Sequence, residues 1–104
     1  MQEQQLLIEA KFFKGLADKS RLTILESVMD SEKTVSDIVK LTKLSQSNVS
    51  NHLACLLECG LVTRSRDGQR AYYQLSTGEV KNLIAVMRTI VSQHSQELFE
   101  CTRY

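Results

Sequence analysis

Between Ser45 and Gly60 the chain reads SQSNVSNHLACLLECG, and no other stretch restricts the fold as tightly. Wound at about 3.6 residues per turn, it gathers Val49, Leu53, Leu56 and Leu57 on one apolar face, while Ser47, Ser50, Asn51 and Ala54 point elsewhere. One helix thus carries a core face and a free polar face. A further stripe, Asn48, His52, Cys55 and Cys59, advances three or four residues at a time, so both thiols leave the same flank.

A chain of 104 residues with 42% hydrophobic content can bury one modest core, which predicts a single domain over 1–104. The formal net charge is only +1, so any basic footprint for nucleic acid must be local. No apolar run approaches the ~18 residues of a membrane span. Glu9 and Lys11 interrupt Leu6 to Phe13, which leaves no signal-peptide pattern. The expectation is a cytoplasmic protein with no membrane partner. Three cysteines, an odd number, argue against a disulfide framework and leave ligands, redox groups or buried fillers.

Gln2 to Leu16 carries Leu6, Leu7, Ala10 and Phe13, with Ile8 and Phe12 off that stripe. Its apolar surface is too wide for one core, so part of it is expected to meet another subunit. Asp18 precedes a second amphipathic helix bearing Leu22, Ile24, Leu25 and Val28 and ending near Ser31. Thr34 to Asp37 has the form of a capping box, which starts a short helix at Thr34 that runs to about Lys40. LTKL then makes a tight connection, Ser45 caps the long helix and Gly60 supplies the left-handed residue that ends it. Two helices joined this way form a helix-turn-helix.

From Leu61 the hydrophobic period changes to two. LVTRSR and RAYYQL flank Asp67-Gly68-Gln69, a hairpin signal. Arg64, Arg66 and Arg70 make this wing basic against Asp67 alone. Ser76 to Glu79 reads as a second capping box, opening a helix with Val80, Leu83, Ile84, Met87, Ile90, Val91 and Leu98 on one side. At some twenty residues it would be about 30 Å long, and its surplus apolar surface suits dimerisation. The fold expected is mainly α with a small β-hairpin: a winged helix-turn-helix, dimerising through its N- and C-terminal helices.

The order of elements, with SQSNVSNHL before a leucine-rich half, then GLV, a basic DG hairpin, YY and a long terminal helix, resembles the ArsR/SmtB metalloregulatory repressors. Cys55 and Cys59 in the reading helix, plus Cys101 in the tail FECTRY, resemble the CmtR-type cadmium and lead sensors within that family. The resemblance implies a homodimeric repressor that leaves double-stranded operator DNA when a soft metal binds, with Cys101 arriving from the other subunit. It also marks departures. The Cys-x-Cys of another thiolate site is missing around Thr34 to Asp37, and the zinc site across the terminal helices keeps His94 and Glu97 but has Lys81 and Leu83 upstream.

The chemistry can also be argued from the residues. The N-terminal half of a reading helix enters the major groove, where Gln46, Ser47, Ser50 and Asn51 can reach base edges and an amide can pair bidentately with adenine. Arg64, Arg66, Gln69 and Arg70 can follow phosphates into a flanking groove. The alternative is a solvated helix start and a solvated hairpin. Cys55 and Cys59, four residues apart on a helix, bring their sulfurs within about 4 to 6 Å, and Cys101 would complete a three-sulfur shell. Soft ligands select cadmium, lead, mercury or trivalent arsenic over magnesium or calcium; zinc prefers a closed four-ligand shell, and it is the resemblance that puts cadmium and lead first. His52 is the only candidate fourth ligand, and a packed histidine is the simpler reading. The cysteines could instead edge the core, or sense oxidants or persulfides by linking Cys101 to Cys55 or Cys59. No catalytic constellation, phosphate loop or small organic substrate site stands out, so the chain is not expected to be an enzyme.

Overall fold

The computed structural model describes residues 2–104. Its elements run α1 (Glu3–Leu16), α2 (Lys19–Ser27), α3 (Val35–Thr42), α4 (Gln46–Glu58), β1 (Val62–Asp67), β2 (Arg70–Leu75), α5 (Gly78–Gln93) and α6 (Ser95–Glu100). This is the expected mainly helical chain with one hairpin. Ile24, Leu25 and Val28 of α2, Ile38 of α3, and Val49, Leu53 and Leu56 of α4 close on Leu61, Val62, Tyr73, Val80 and Ile84 to form the core. At ~1.5–3 kcal/mol for each large apolar side chain removed from water, this cluster holds α4 in place. Leu22 and Leu57, expected inside, are half-buried at its edge.

Local chemistry sets the two helix starts. Thr34 Oγ1 accepts from Asp37 N at 3.1 Å while Thr34 N donates to Asp37 Oδ2 at 3.1 Å, so the capping box is complete. Helix α3 runs two residues past Lys40, to Thr42. The turn closes on Lys43, which is left-handed at φ +62° without being glycine. Thr42 makes that possible by donating its hydroxyl to Ile38 O at 2.7 Å and accepting from Leu44 N at 3.3 Å. Ser45 then caps α4, accepting from Asn48 N at 3.2 Å. At the far end Gly60 takes φ +77°, Leu61 N donates to Leu56 O at 2.9 Å and Gly60 N to Leu57 O at 3.1 Å. This is the Schellman pattern, with its apolar contact between buried Leu56 and Leu61.

The strands pair antiparallel, Val62 with Leu75 through Asp67 with Arg70. Asp67 therefore lies in the strand, and the loop is Gly68-Gln69. Only Gly68 has positive φ there, +64°, which fits a type II′ turn. A third short pairing, Lys33 with Tyr73, seams the hairpin to the segment before α3.

Two expectations at the C-terminal end are corrected. Ser76 is not a helix cap: its hydroxyl donates to Gly60 O at 2.7 Å, and Thr77 caps α5 by accepting from Val80 N at 3.4 Å. The single terminal helix is broken at His94, whose φ −133° and ψ 26° lie outside the helical region. The polar run Ser92 to Ser95 interrupts the apolar stripe, and Ser92 Oγ donates to Thr89 O at 2.7 Å, a local bond that competes with helix continuation. Val80 and Ile84 dock α5 on the core. The exposed pairs Lys81–Asp30 at 3.0 Å and Arg88–Glu26 at 3.3 Å add little, ~0–1 kcal/mol each. Among the described residues, no helix is long and apolar enough to cross a membrane.

Candidate nucleic-acid interface and thiol site

Gln46, Ser47, Ser50 and Asn51 are all exposed, whereas Val49 between them is fully buried. Helix α4 therefore lies on the core by its apolar face and offers its first two turns to solvent. Ser45 and Ser47 approach each other, Oγ to Oγ at 3.4 Å, so Gln46, Ser50 and Asn51 hold the freest polar groups. The unpaired amides of the helix start add partial positive charge at the same end.

The hairpin register divides the arginines between two faces. Arg64 stands opposite Tyr73 and Arg66 opposite Ala71, while Arg70 faces Asp67 across the adjacent pair. All three arginines and Gln69 are exposed, and among the described residues the ion pairs formed are those of Lys81 and Arg88. Two cations escaped the sequence reading. Lys40 lines a surface groove between α3 and β2 together with Ser36 and Arg70, and Lys43 projects from the left-handed turn. The signal was their place at the end of α3, which becomes meaningful only once the hairpin lies beside it.

Cys55 and Cys59 are half-buried on one flank of α4. Burial pushes the Cys59 thiol above its ordinary range; the neighbouring Cys55 and then Glu58 push the same way, and Arg21 opposes them. The structure thus brings these two sulfurs together as the spacing requires. It leaves Cys101 apart, half-buried where α6 ends, and among the described residues of one chain no three His, Cys, Asp or Glu side chains gather to hold a metal. His52 is half-buried and near enough to Asp18, at the α1–α2 junction, to be one of the lesser influences on its carboxyl. His94 and Glu97 are exposed at the α5–α6 break. A soft donor pair beside a hydrogen-bonding face can bind a thiophilic ion or be oxidised, and it offers no nucleophile and base in register.

Residues 18–64, spanning α2 to β1, match the family described as bacterial regulatory protein, arsR family. The probable mercury resistance operon repressor of Streptomyces lividans is 36% identical over 94 residues, covering 90% of this chain and 75% of the relative. The chain belongs to the ArsR family. Its relatives are transcriptional regulators and not enzymes, and this ArsR-family chain shares that character. The transcriptional regulator CmtR of Mycobacterium bovis is 32% identical, covering 79% of this chain and 70% of the relative. The crystal structure of Mycobacterium tuberculosis Rv0081 superposes with a TM-score of 0.86 at 28% identity, covering 94% of this chain and 99% of that one. A homodimeric winged helix-turn-helix DNA-binding domain from Mycobacterium bovis superposes at 0.82 with 31% identity, over 88% of this chain and 84% of that one. The winged helix-turn-helix of this ArsR-family chain is therefore α3, α4 and the β1–β2 hairpin.

Proposed function

We propose that this chain represses transcription as a homodimer on double-stranded operator DNA and is released when a soft metal ion, cadmium or lead foremost, binds Cys55, Cys59 and Cys101. The observation that carries the reading is the placement of two neighbouring thiols, Cys55 within α4 and Cys59 at its C-cap, on the helix whose first two turns present Gln46, Ser50 and Asn51 to solvent. Gln46, Ser47, Ser50 and Asn51 would contact bases, and Arg64, Arg66, Gln69 and Arg70 would contact phosphates. Support for a metal inducer comes from the relatives named as mercury and arsenical resistance operon repressors. Mercury, zinc and arsenite are accordingly the competing inducers.

The second subunit has an apolar surface waiting for it. Helix α1 leaves Leu6, Leu7, Ile8 and Phe13 half-exposed or more, α5 leaves Val86 and Ile90 so, and Phe99 is 90% exposed. Phe13, Leu16 and Leu22 with Leu83 and Met87 line an entirely apolar groove between α1, α2 and α5. Dimerisation across these faces is the reading they support, and it would let Cys101 of one subunit approach Cys55 and Cys59 of its partner. A bound divalent ion would supply soft Lewis acidity, and the three thiolates holding it would outweigh its charge and leave the site net negative beside the DNA. The protein would then hold its two α4 helices in a spacing that no longer fits successive major grooves. Moving operator occupancy from nearly full to nearly empty takes ~5 kcal/mol of differential affinity, within reach of two sites per dimer.

A thiol-redox reading keeps one specific support: a relative in Vibrio cholerae, the transcriptional activator HlyU, has a solved form described as reduced. The raised Cys59 thiol does not separate the two readings, since oxidants and metal ions both take the thiolate. Cadmium titrated into the protein–operator complex, with the thiolate-to-metal ultraviolet band followed alongside operator release, tests the proposal. Serine at Cys55, Cys59 or Cys101 should keep repression and blunt release. Operator affinity unmoved by cadmium, with peroxide producing a Cys101 disulfide and release instead, would transfer the case to the redox reading.

A further inference from the structure

We propose that Gly15 is a positioning residue of the thiol site: its missing side chain leaves the Cys59 sulfur room to turn, and the Arg21 clamp holds the end of α1 in place above it. This rests on the reading of Cys55 and Cys59 as ligands. Gly15 is the buried residue of α1, and it is not among the glycines with positive φ. Its conformation therefore does not call for glycine, which costs ~0.5–1 kcal/mol relative to alanine inside a helix. Space is what it provides. A β-carbon there would lie 3.4 Å from Cys59 Sγ, 3.5 Å from Leu61 Cδ1 and 3.7 Å from Cys59 Cβ. These are ordinary contact distances, so alanine fits over the resting thiol and removes the slack on that side.

A ligating sulfur needs the slack. Two sulfurs on one helix flank must both re-aim to share an ion at about 2.3 Å or more, and Cys59 is half-buried against α1. The main chain above it is fastened. Arg21 Nε donates to Gly15 O at 2.8 Å and Nη2 to Lys14 O at 2.9 Å, while Arg21 N donates to Asp18 Oδ2 at 3.0 Å. The last turn of α1 thus cannot shift without breaking two charge-assisted bonds.

The full chain, Gly15→Ala and Arg21→Gln are compared by iodoacetamide labelling of each cysteine, read by mass spectrometry with Cys101 as internal reference, and by cadmium affinity and melting temperature. Gly15→Ala should melt no lower than the parent and bind operator equally. Its Cys59 should label about tenfold more slowly, and cadmium should bind about tenfold more weakly, the equivalent of ~1.4 kcal/mol. Arg21→Gln, which frees the end of α1, should label faster at Cys59 alone once rates are compared per thiolate, since the lost Arg21 charge by itself lowers the thiolate fraction. Parental labelling and parental cadmium affinity in Gly15→Ala overturn the proposal. Should Gly15→Ala fail to fold, an unchanged Cys59 rate per thiolate in Arg21→Gln overturns it. A parent chain that takes up no cadmium, yet shows both labelling shifts, defeats the ligand reading and leaves the Gly15 contact standing.

Discussion

Lys33 and Tyr73 are joined through their main chains, Lys33 N donating to Tyr73 O at 2.9 Å and Tyr73 N to Lys33 O at 2.8 Å. This one-residue bridge ties β2 to the segment that leads into α3, so the hairpin and the reading unit share a seam. Tyr73 is itself buried in the core. The wing is therefore aimed by its base, while its tip is free.

Replacing Lys33 with proline removes one donor of that bridge. The fold should lose ~1–3 kcal/mol, the cost of leaving a buried acceptor unpaired, and operator affinity should fall as the arginine-bearing hairpin loosens. Denaturant melts and binding isotherms measure both. A variant with the parent's midpoint and affinity would show that the seam carries no load.

Lys43 holds a left-handed conformation without being glycine, which costs ~1–2 kcal/mol. Lys43→Gly should relieve up to about that amount while deleting a cation at the α3–α4 turn. Stability should rise and operator affinity should drop, with the salt dependence of binding shallower by about one counterion. Both changes appearing in the same variant would separate the fold's preference at this position from the site's.

Acid should weaken the two caps. The Arg21 amide, foremost, holds the Asp18 carboxyl below its ordinary range, and the Thr34 amide does the same for Asp37. A depressed folded value means the unfolded chain takes up the proton first. The contribution is then complete above the usual carboxylate value of about 4 and is lost as pH falls through the lowered folded values. Asp18→Asn and Asp37→Asn should each flatten the acid limb of a stability-versus-pH curve, and an acid limb identical to the parent's would discount these groups.

Metal uptake should be strongly pH-dependent. Burial raises the Cys59 thiol, so at neutral pH it holds a proton that an incoming ion must displace. Each displaced proton makes affinity climb about tenfold per pH unit, until pH passes the raised thiol value. Cadmium affinity measured from about pH 6 to 8 should rise throughout that interval, and Cys59→Ser should remove one proton's worth of slope. A flat profile would mean that Cys59 does not give up a proton to the ion.

Most of the helix-turn-helix was legible in the residues because its signals are local. The Thr34–Asp37 box, the Ser45 cap and the Gly60 ending each depend on groups within a turn of one another. The same holds for the flank shared by Cys55 and Cys59, since helical spacing alone places them. What escaped were relationships across the chain. Ser76 and Thr77 are equivalent as sequence, and only the arrival of Gly60 O decided which hydroxyl would cap α5. The apolar stripe resumes at Leu98 and so predicts one continuous terminal helix, yet His94 breaks it, and every residue of α6 beyond the break is exposed.

The amino-acid sequence by itself determined the helices up to α4 and the hairpin, the caps of α3 and α4, the polar face of α4 and the pairing of its two thiols, because periodicity and capping act over a few residues. Tertiary structure alone decided that Gly15 would lie on the Cys59 sulfur, that Lys40 would share a groove with Arg70, and that Lys33 would bind Tyr73. Those contacts join residues thirty or more positions apart. They exist only after the core has closed, when burial of Ile24, Ile38, Leu53 and Leu61 together sets how the helices and the hairpin meet.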